Sequence, residues 1–297
     1  MKSKVIILRT NKLRNQNGNI DFNRVLEAYR KGFQRLTNFN RIKDALESLF
    51  PSNEKIGIKV NTIGGRSLST LPEVSFPLGK ALTEGKIKEE NIVIWDRTER
   101  ELKEAGYRLN MNRNEIKVLA TDSPGVNYEH ELIAHLNIGS LFSSIQTRWI
   151  NSSISLALLK DHGLAGVTAG MKNYFGAIHN PNKYHDSNCN PFVAELFDTE
   201  PIKKKHKITI LDCTLVQFHK GPAYHSRWAK KYDSFVFSLD PVAADFIGWK
   251  IIEELRAKSG LPSLEEEKRA PLYLYAAERM GLGKANLNMI EIIEEEI

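Results

Sequence analysis

The sequence predicts an α/β fold with a mostly parallel central sheet and helices on both of its faces. Short apolar runs rich in Val and Ile recur along the chain, and segments with helical periodicity lie between several of them. Runs that are apolar at nearly every position are typical of strands buried on both faces. A length of 297 residues fits one domain over 1–297, or two closely packed lobes.

The expected elements follow from these two patterns. Strands are expected at 5–8, 56–60, 92–95, 116–119, 154–159, 208–211 and 235–237. Helices are expected at 23–36, 41–49, 72–84, 98–105 and 241–258. The last helix has the clearest boundaries, because Asp240 and Pro241 supply a cap and a first helical residue, and Gly260 and Pro262 follow its end.

Composition excludes several classes of protein. Hydrophobic residues make up 41% and charged residues 26%, which is typical of a soluble folded domain rather than a disordered chain. No apolar run approaches the roughly 18 residues of a membrane span. The net charge of +6 is spread along the chain, so nucleic-acid binding is not supported. Two cysteines, Cys189 and Cys213, are too few for a four-cysteine iron–sulfur cluster.

The first residues, MKSKVIILRT, have the pattern of a strand rather than of an export signal. Cytoplasmic placement is therefore the default expectation. An extracytoplasmic or periplasmic placement is the alternative, if a leader was removed before residue 1.

Polar residues stand at the ends of four expected strands. They are Lys59 with Asn61, then Asp96, then Lys160, Asp161 and His162, and finally Asp212. In open α/β sheets ligands bind beyond the carboxyl ends of the strands, so these groups are expected to share one crevice if the strands are parallel neighbours. An Asp after a strand also commonly caps the next helix, and Asp96 fits that interpretation as well.

Asn61 opens the loop NTIGG, in which the backbone amides near Gly64 are able to approach a phosphate or a carboxylate. The loop matches neither of the glycine-rich nucleotide-binding signatures.

The stretch 159–189 has the highest density of polar and titratable groups. Thr168 is expected to cap a helix that runs to about His179, with Lys172, Phe175 and His179 on one face. Lys172 and His179 would then face the same pocket. The alternative is a surface lysine and a histidine favoured by the dipole at the carboxyl end of the helix.

Three histidines in this stretch suggest a metal site. His162, His179 and His185, with Asp161 or Cys189, would form a ligand set for a divalent transition metal such as zinc, iron, copper or nickel. The tight HExxH spacing of many zinc enzymes is not present.

Several strings in the chain resemble one known family. KVN with its glycine loop, IVIWDR, LKDHGLAGVTAGMKNYFGAIHNPNKYH and DPVAADFIGWKII together resemble the DUF362 family, over nearly the whole chain. The resemblance implies a family without an established activity. Some of its relatives carry ferredoxin-type cysteine clusters or a twin-arginine export signal, and neither feature stands in this sequence.

Two functions are weighed from these residues, and a third comes from the family context. The first is an enzyme acting on a small anionic substrate, with a metal or an anion at the carboxyl edge of the sheet. The second is a non-catalytic protein that binds a metal or an anion, and the third is an accessory subunit of a redox system. Reaction class and oligomeric state stay open at this point. The candidate residues are Asp161, Lys172 and Asp96 for catalysis, Lys59, Asn61, Gly64, Lys160, Asn173 and Lys183 for anion binding, and His162, His179 and His185 for metal.

Overall fold

The computed structural model describes residues 2–297, which form twelve strands and eight α-helices. The strands are β1 (Ser3–Arg9), β2 (Ile56–Lys59), β3 (Ile92–Asp96), β4 (Lys117–Ala120), β5 (Ile133–His135), β6 (Ile138–Ser140), β7 (Ser152–His162), β8 (Gly166–Thr168), β9 (His206–Gln217), β10 (Ala229–Lys230), β11 (Ser234–Ser238) and β12 (Ile290–Glu296). The helices are α1 (Phe22–Thr37), α2 (Ile42–Leu49), α3 (Pro72–Thr83), α4 (Glu99–Glu104), α5 (Phe192–Asp198), α6 (Glu200–Lys203), α7 (Pro241–Lys258) and α8 (Tyr273–Arg279).

Ten of these strands form one sheet. Its order is β12-β1-β11-β9-β7-β2-β3-β4, and the short strands β8 and β10 pair with β7 and β9. The run β9-β7-β2-β3-β4 is parallel throughout. Strand β11 is antiparallel to both of its neighbours, β9 and β1, while β12 is parallel to β1. The predicted mostly parallel sheet is therefore confirmed.

Helices cover both faces of the sheet. Successive strand residues point to opposite faces, so Ile6 and Leu8 pack in one apolar layer and Val5 and Ile7 in the other. The first layer contains side chains of α1 to α4, and the second contains those of α5, α7 and α8. Within residues 2–297, no helix is long and apolar enough to cross a membrane.

All seven expected strands and the five expected helices are present, and most of their ends shift by no more than two residues. Strands β7 and β9 extend beyond the apolar runs that predicted them. The expected α-helix at 168–179 is wrong, because Thr168 ends β8 and the chain forms a 3-10 helix at Lys172–Ala177. The amides of Gly170 and Met171 donate to the carboxylate of Asp245 on α7, at 2.7 and 2.9 Å. The single-domain interpretation stays a prediction.

The carboxyl groups of Asp212 and Asp245 are both fully buried. Asp212 lies in the middle of β9, where Oδ1 accepts a hydrogen bond from the amide of Thr214 and Oδ2 has no partner among residues 2–297. Burial raises the pKa of Asp212 to about 6 and that of Asp245 to about 7. The sequence suggested that Asp212 stands at the end of a strand, but the structure places it within β9.

We expect Asp212→Asn to weaken the pH dependence of stability. A carboxyl whose pKa is higher in the folded state holds its proton more tightly there, so its contribution is complete below the unfolded value of 3.8 and is lost as the pH rises through about 6. A shift of about 2 units corresponds to at most about 3 kcal/mol. Urea unfolding between about pH 4 and about pH 8 measures the difference between wild type and variant.

Glu265→Gln, at an exposed position on the surface, serves as the control and is expected to follow the wild-type pH dependence. If the free energy of unfolding falls equally for wild type and Asp212→Asn as the pH rises, the raised pKa of Asp212 is contradicted.

Candidate functional site

A cleft of about 410 Å³ opens at the carboxyl ends of β2, β3 and β7. Parallel strands end at the same edge of a sheet, and ligand sites in α/β proteins form at such an edge. The cleft brings together most of the residues that the sequence suggested for a site. Those that line it are Lys59, Asn61, Asp96, Lys160, His162, Lys172, Asn173 and His185.

A buried ion pair lies at the inner end of the cleft. Nζ of Lys59 donates to Oδ1 of Asp96 at 2.6 Å, and both residues are almost fully buried. Oδ2 of Asp96 accepts two hydrogen bonds from Thr62, one from its amide at 2.8 Å and one from its hydroxyl at 2.7 Å. The amide of Arg97 donates to Oδ1. Asp96 does not cap helix α4, since Thr98 accepts the hydrogen bond from the amide of Glu101.

The 3-10 helix at Lys172–Ala177 closes over this ion pair. Nδ2 of Asn173 donates to the carbonyl oxygen of Lys59 at 2.8 Å and to Oγ of Ser155 at 3.0 Å. Oδ1 of Asn173 accepts from Nζ of Lys59 at 3.3 Å. Gly176 lies so close that a Cβ atom there would be 2.7 Å from Nζ of Lys59 and 2.9 Å from Oδ1 of Asp96. Asn173 is thus a structural partner of Lys59.

Two further lysines of the cleft have no carboxylate partner. Lys160 and Lys172 are buried, and within residues 2–297 neither forms an ion pair. Nζ of Lys160 donates to the carbonyl oxygen of Leu68 at 3.3 Å, and Nζ of Lys172 lies 3.9 Å from the ring centre of Phe175. Burial lowers the pKa of each lysine to about 8. Both are mainly protonated at neutral pH.

Two imidazoles line the cleft beside Lys172. His162 and His185 are stacked with ring centres 5.6 Å apart. Burial, with Lys172 nearby, lowers the pKa of both, to about 2 for His162. Nδ1 of His162 accepts hydrogen bonds from the amides of Leu164 and Ala165, so the proton of this neutral ring is on Nε2.

His185 has the opposite tautomer. Its Nδ1 lies 3.0 Å from the carbonyl oxygen of Pro181, to which it donates. Nε2 is therefore free to accept the hydrogen bond from Nζ of Lys172, 3.2 Å away. Lys172 and His185 thus form a hydrogen-bonded pair.

Asp161 lies on the other side of β7 from the cleft. Because residues of a strand alternate between faces, Lys160 and His162 reach the cleft and Asp161 does not. Its Oδ1 accepts from Arg269 at 2.6 Å, and its Oδ2 accepts from the amide of Gly221 at 2.7 Å. Arg256 is 3.9 Å away. Asp161, which was expected to act in catalysis, therefore lies outside the cleft lining and contacts Arg269 and the backbone of Gly221.

Gly64, Lys183 and His179 also lie outside the cleft lining. Gly64 sits in a tight turn, where a Cβ atom would be 2.2 Å from the carbonyl oxygen of Leu68. Lys183 is exposed, and its ammonium lies 5.6 Å from the ring of Tyr184.

His179 is exposed and contacts Tyr128, with ring centres 5.9 Å apart, so the three expected metal ligands are not brought together. Among residues 2–297, no group of three His, Cys, Asp or Glu side chains has a metal-binding arrangement. The only two candidate imidazoles in the cleft are His162 and His185, and Lys172 donates to the second. The described residues do not fit the expected transition-metal site.

Some residues that shape the cleft were missed from the sequence. Thr62 follows Asn61 directly, and a hydroxyl beside the predicted strand end was a usable signal for it. Asp245, which holds the backbone before Lys172, was detectable as a charged residue within the apolar string VAADFIGW. Arg97 and Glu101 also line the cleft, from β3 to α4. No pattern in the sequence set them apart from ordinary helix residues.

Comparison with known proteins gives a family match. The model of a family described as Domain of unknown function (DUF362) matches residues 56–250, a range that includes every cleft residue named above. No curated protein matches the sequence. A crystal structure of a protein from Thermotoga maritima is similar, with 11% identity and a TM-score of 0.43. The similarity covers 82% of this chain, which spans 60% of that protein.

We expect Gly176→Ala to destabilise the protein and to disturb the Lys59–Asp96 ion pair. The added methyl group would overlap Nζ of Lys59 and Oδ1 of Asp96, which have no room to move apart without losing hydrogen bonds. Overpacking of this kind costs about 1–3 kcal/mol. Urea unfolding measures the loss.

Gly139→Ala is the matched control, since a Cβ atom at Gly139 would make only an ordinary contact of 3.8 Å with Leu132. Equal stability of Gly176→Ala and wild type would show that the 3-10 helix does not pack on the ion pair as described.

Proposed function

The chain belongs to the DUF362 family, a domain of unknown function, and on this premise we propose that its cleft binds a small anionic ligand. In this proposal, Lys160 and Lys172 neutralise the charge of the ligand. Asn61 lines the same cleft. The ligand reaches these groups at the carboxyl ends of the parallel strands, where α/β proteins usually bind small molecules.

The observation that supports the proposal is the pair of buried ammonium groups without carboxylate partners. Removing an ammonium from water is unfavourable unless an opposite charge compensates it. Lys59 has such a partner in Asp96, whereas Lys160 and Lys172 have none among residues 2–297. An anion in the cleft would supply the missing charge to both.

The total charge of the cleft also favours an anion. Its lining contains four cationic side chains, Lys59, Arg97, Lys160 and Lys172, and two carboxylates, Asp96 and Glu101, an excess of two positive charges. The two imidazoles add no charge at neutral pH, because burial lowers their pKa values.

We expect Lys160→Met and Lys172→Met each to weaken anion binding by about tenfold or more, because each removes one charged hydrogen bond to the ligand. Sulfate is a suitable probe, and calorimetric titration at constant ionic strength measures its affinity. Methionine keeps the apolar stem and removes an unpaired buried charge, so stability is expected to stay equal or to rise. Lys183→Met, which changes an exposed lysine outside the cleft, is the control.

The pH dependence gives an independent readout. Both lysines have a pKa lowered to about 8, so they lose their charge above that pH and sulfate affinity is expected to fall between about pH 7 and about pH 9. Unchanged sulfate affinity in the double variant Lys160→Met, Lys172→Met, or no binding by the wild type, would contradict the proposal.

A second candidate function is proton transfer on the bound anion, which the hydrogen bond between Lys172 and His185 favours. A titratable pair at a cleft is a common arrangement of general acids and bases. The neutral amine of Lys172 accepts a proton from the ligand, and His185 holds Nζ in place through Nε2. Within the described residues, nothing adds support to the redox-accessory alternative.

We expect Lys172, acting as a base, to catalyse exchange of acidic C–H protons of a bound anion with solvent. The rate is expected to rise with pH through about 8, where the amine becomes neutral, while anion affinity falls. Proton NMR of 2-oxo acids incubated in heavy water with the protein measures exchange, and Lys172→Met is expected to abolish it. Binding without exchange by any tested acid would favour a non-catalytic binding protein.

A further inference from the structure

The mouth of the cleft is apolar, in contrast to its cationic interior. Ile63, in the loop after β2, is 61% exposed, and Leu164, in the turn after β7, is 47% exposed. Pro222, in the loop after β9, is exposed at the same opening. Single exposed apolar residues are common on protein surfaces, but here three from separate loops lie around one cleft.

The apolar surface continues inward from the mouth. Phe175 and Pro181 line the wall of the cleft. The ring of Phe175 lies edge to face with His185, with centres 5.4 Å apart, and His185 is stacked on His162. One side of the cleft is therefore a continuous set of rings leading to Lys172.

The size of the cleft also exceeds the needs of an inorganic ion. A water molecule accounts for about 30 Å³ of liquid volume, and an ion of a few such volumes would leave most of the space to solvent. The volume of about 410 Å³ lies within the range of pockets that hold organic small molecules.

We propose that the ligand is an amphipathic organic anion, whose charged head lies between Lys160 and Lys172 and whose apolar body packs against Ile63, Leu164 and Pro222. This inference rests on the anion binding proposed above and adds the class of ligand. The cationic end of the cleft selects the head, and the apolar mouth selects the body.

Paired probes that differ only in the apolar body test the inference. Calorimetric titration compares inorganic phosphate with phenyl phosphate, and acetate with benzoate, at one pH and one ionic strength. Each aromatic member is expected to bind about tenfold tighter or more than its partner, as burial of a ring against apolar side chains implies.

Variants at the mouth supply the second readout. Ile63→Ser and Leu164→Ser change exposed side chains, so folding is expected to be unaffected. Both are expected to lower the affinity for phenyl phosphate toward that for phosphate and to leave phosphate binding unchanged. Leu136→Ser, at a 67% exposed position outside the cleft, is the matched control.

The outcomes separate this inference from the anion site itself. If phosphate and acetate bind through Lys160 and Lys172 but their aromatic partners bind no tighter, the apolar body is refuted and the anion site stands. The same conclusion follows if the serine variants weaken both members of a pair equally. If no anion binds, the proposed function fails, and this inference fails with it.

Discussion

The ion pair between Lys59 and Asp96 is the interaction on which the geometry of the cleft depends. It joins the ends of two neighbouring parallel strands. A hydrogen bond from Thr62 to Asp96 connects the following loop to the pair, and one from Nζ of Lys59 to Oδ1 of Asn173 connects the 3-10 helix. A buried charge that loses its partner is strongly destabilising, so the arrangement is held as one unit. Gly176 is part of this constraint, because only hydrogen fits above the pair.

The same constraint separates the roles of the charged residues. Both oxygens of Asp96 are occupied by hydrogen bonds, so this carboxylate orients its neighbours and is poorly placed to accept a proton from a ligand. The ammonium of Lys59 is likewise held by its ion pair with Asp96. The ammonium groups of Lys160 and Lys172 remain as the charges that a ligand meets, and Lys172 is the one with a titratable neighbour.

The fold was largely predictable from the sequence, because apolar periodicity carries most of the information about strands and helices. The crevice was predictable as well, since parallel strands end at one edge and polar residues follow them. What failed was local. The apolar run of β7 ends at Leu159, yet pairing with β8 extends the strand to His162, and alternation then sends Asp161 away from Lys160 and His162. The sequence of β7 by itself does not show that this strand pairs with β8.

The segment before Lys172 shows the second reason for failure. Its spacing fits a helical face, but Asp245, more than seventy residues later, binds the amides of Gly170 and Met171. A contact between distant parts of the chain therefore overrides local preference. The expected helix would have placed His179 on the same face as Lys172. Because that helix does not form, His179 contacts Tyr128 and does not join the other two imidazoles.

The range matched by the family model leaves out residues that contact Asp161. Asp161 lies within residues 56–250, the range matched by the family model, but Arg256 and Arg269 lie beyond it. Strands β1 and β12 also lie outside that range, and β1 covers an edge of β11. A fragment trimmed to the matched range would leave Asp161 without its two arginine neighbours and would expose the edge of β11 that β1 covers. The contacts that hold Asp161 and β11 thus extend beyond the range that defines the family.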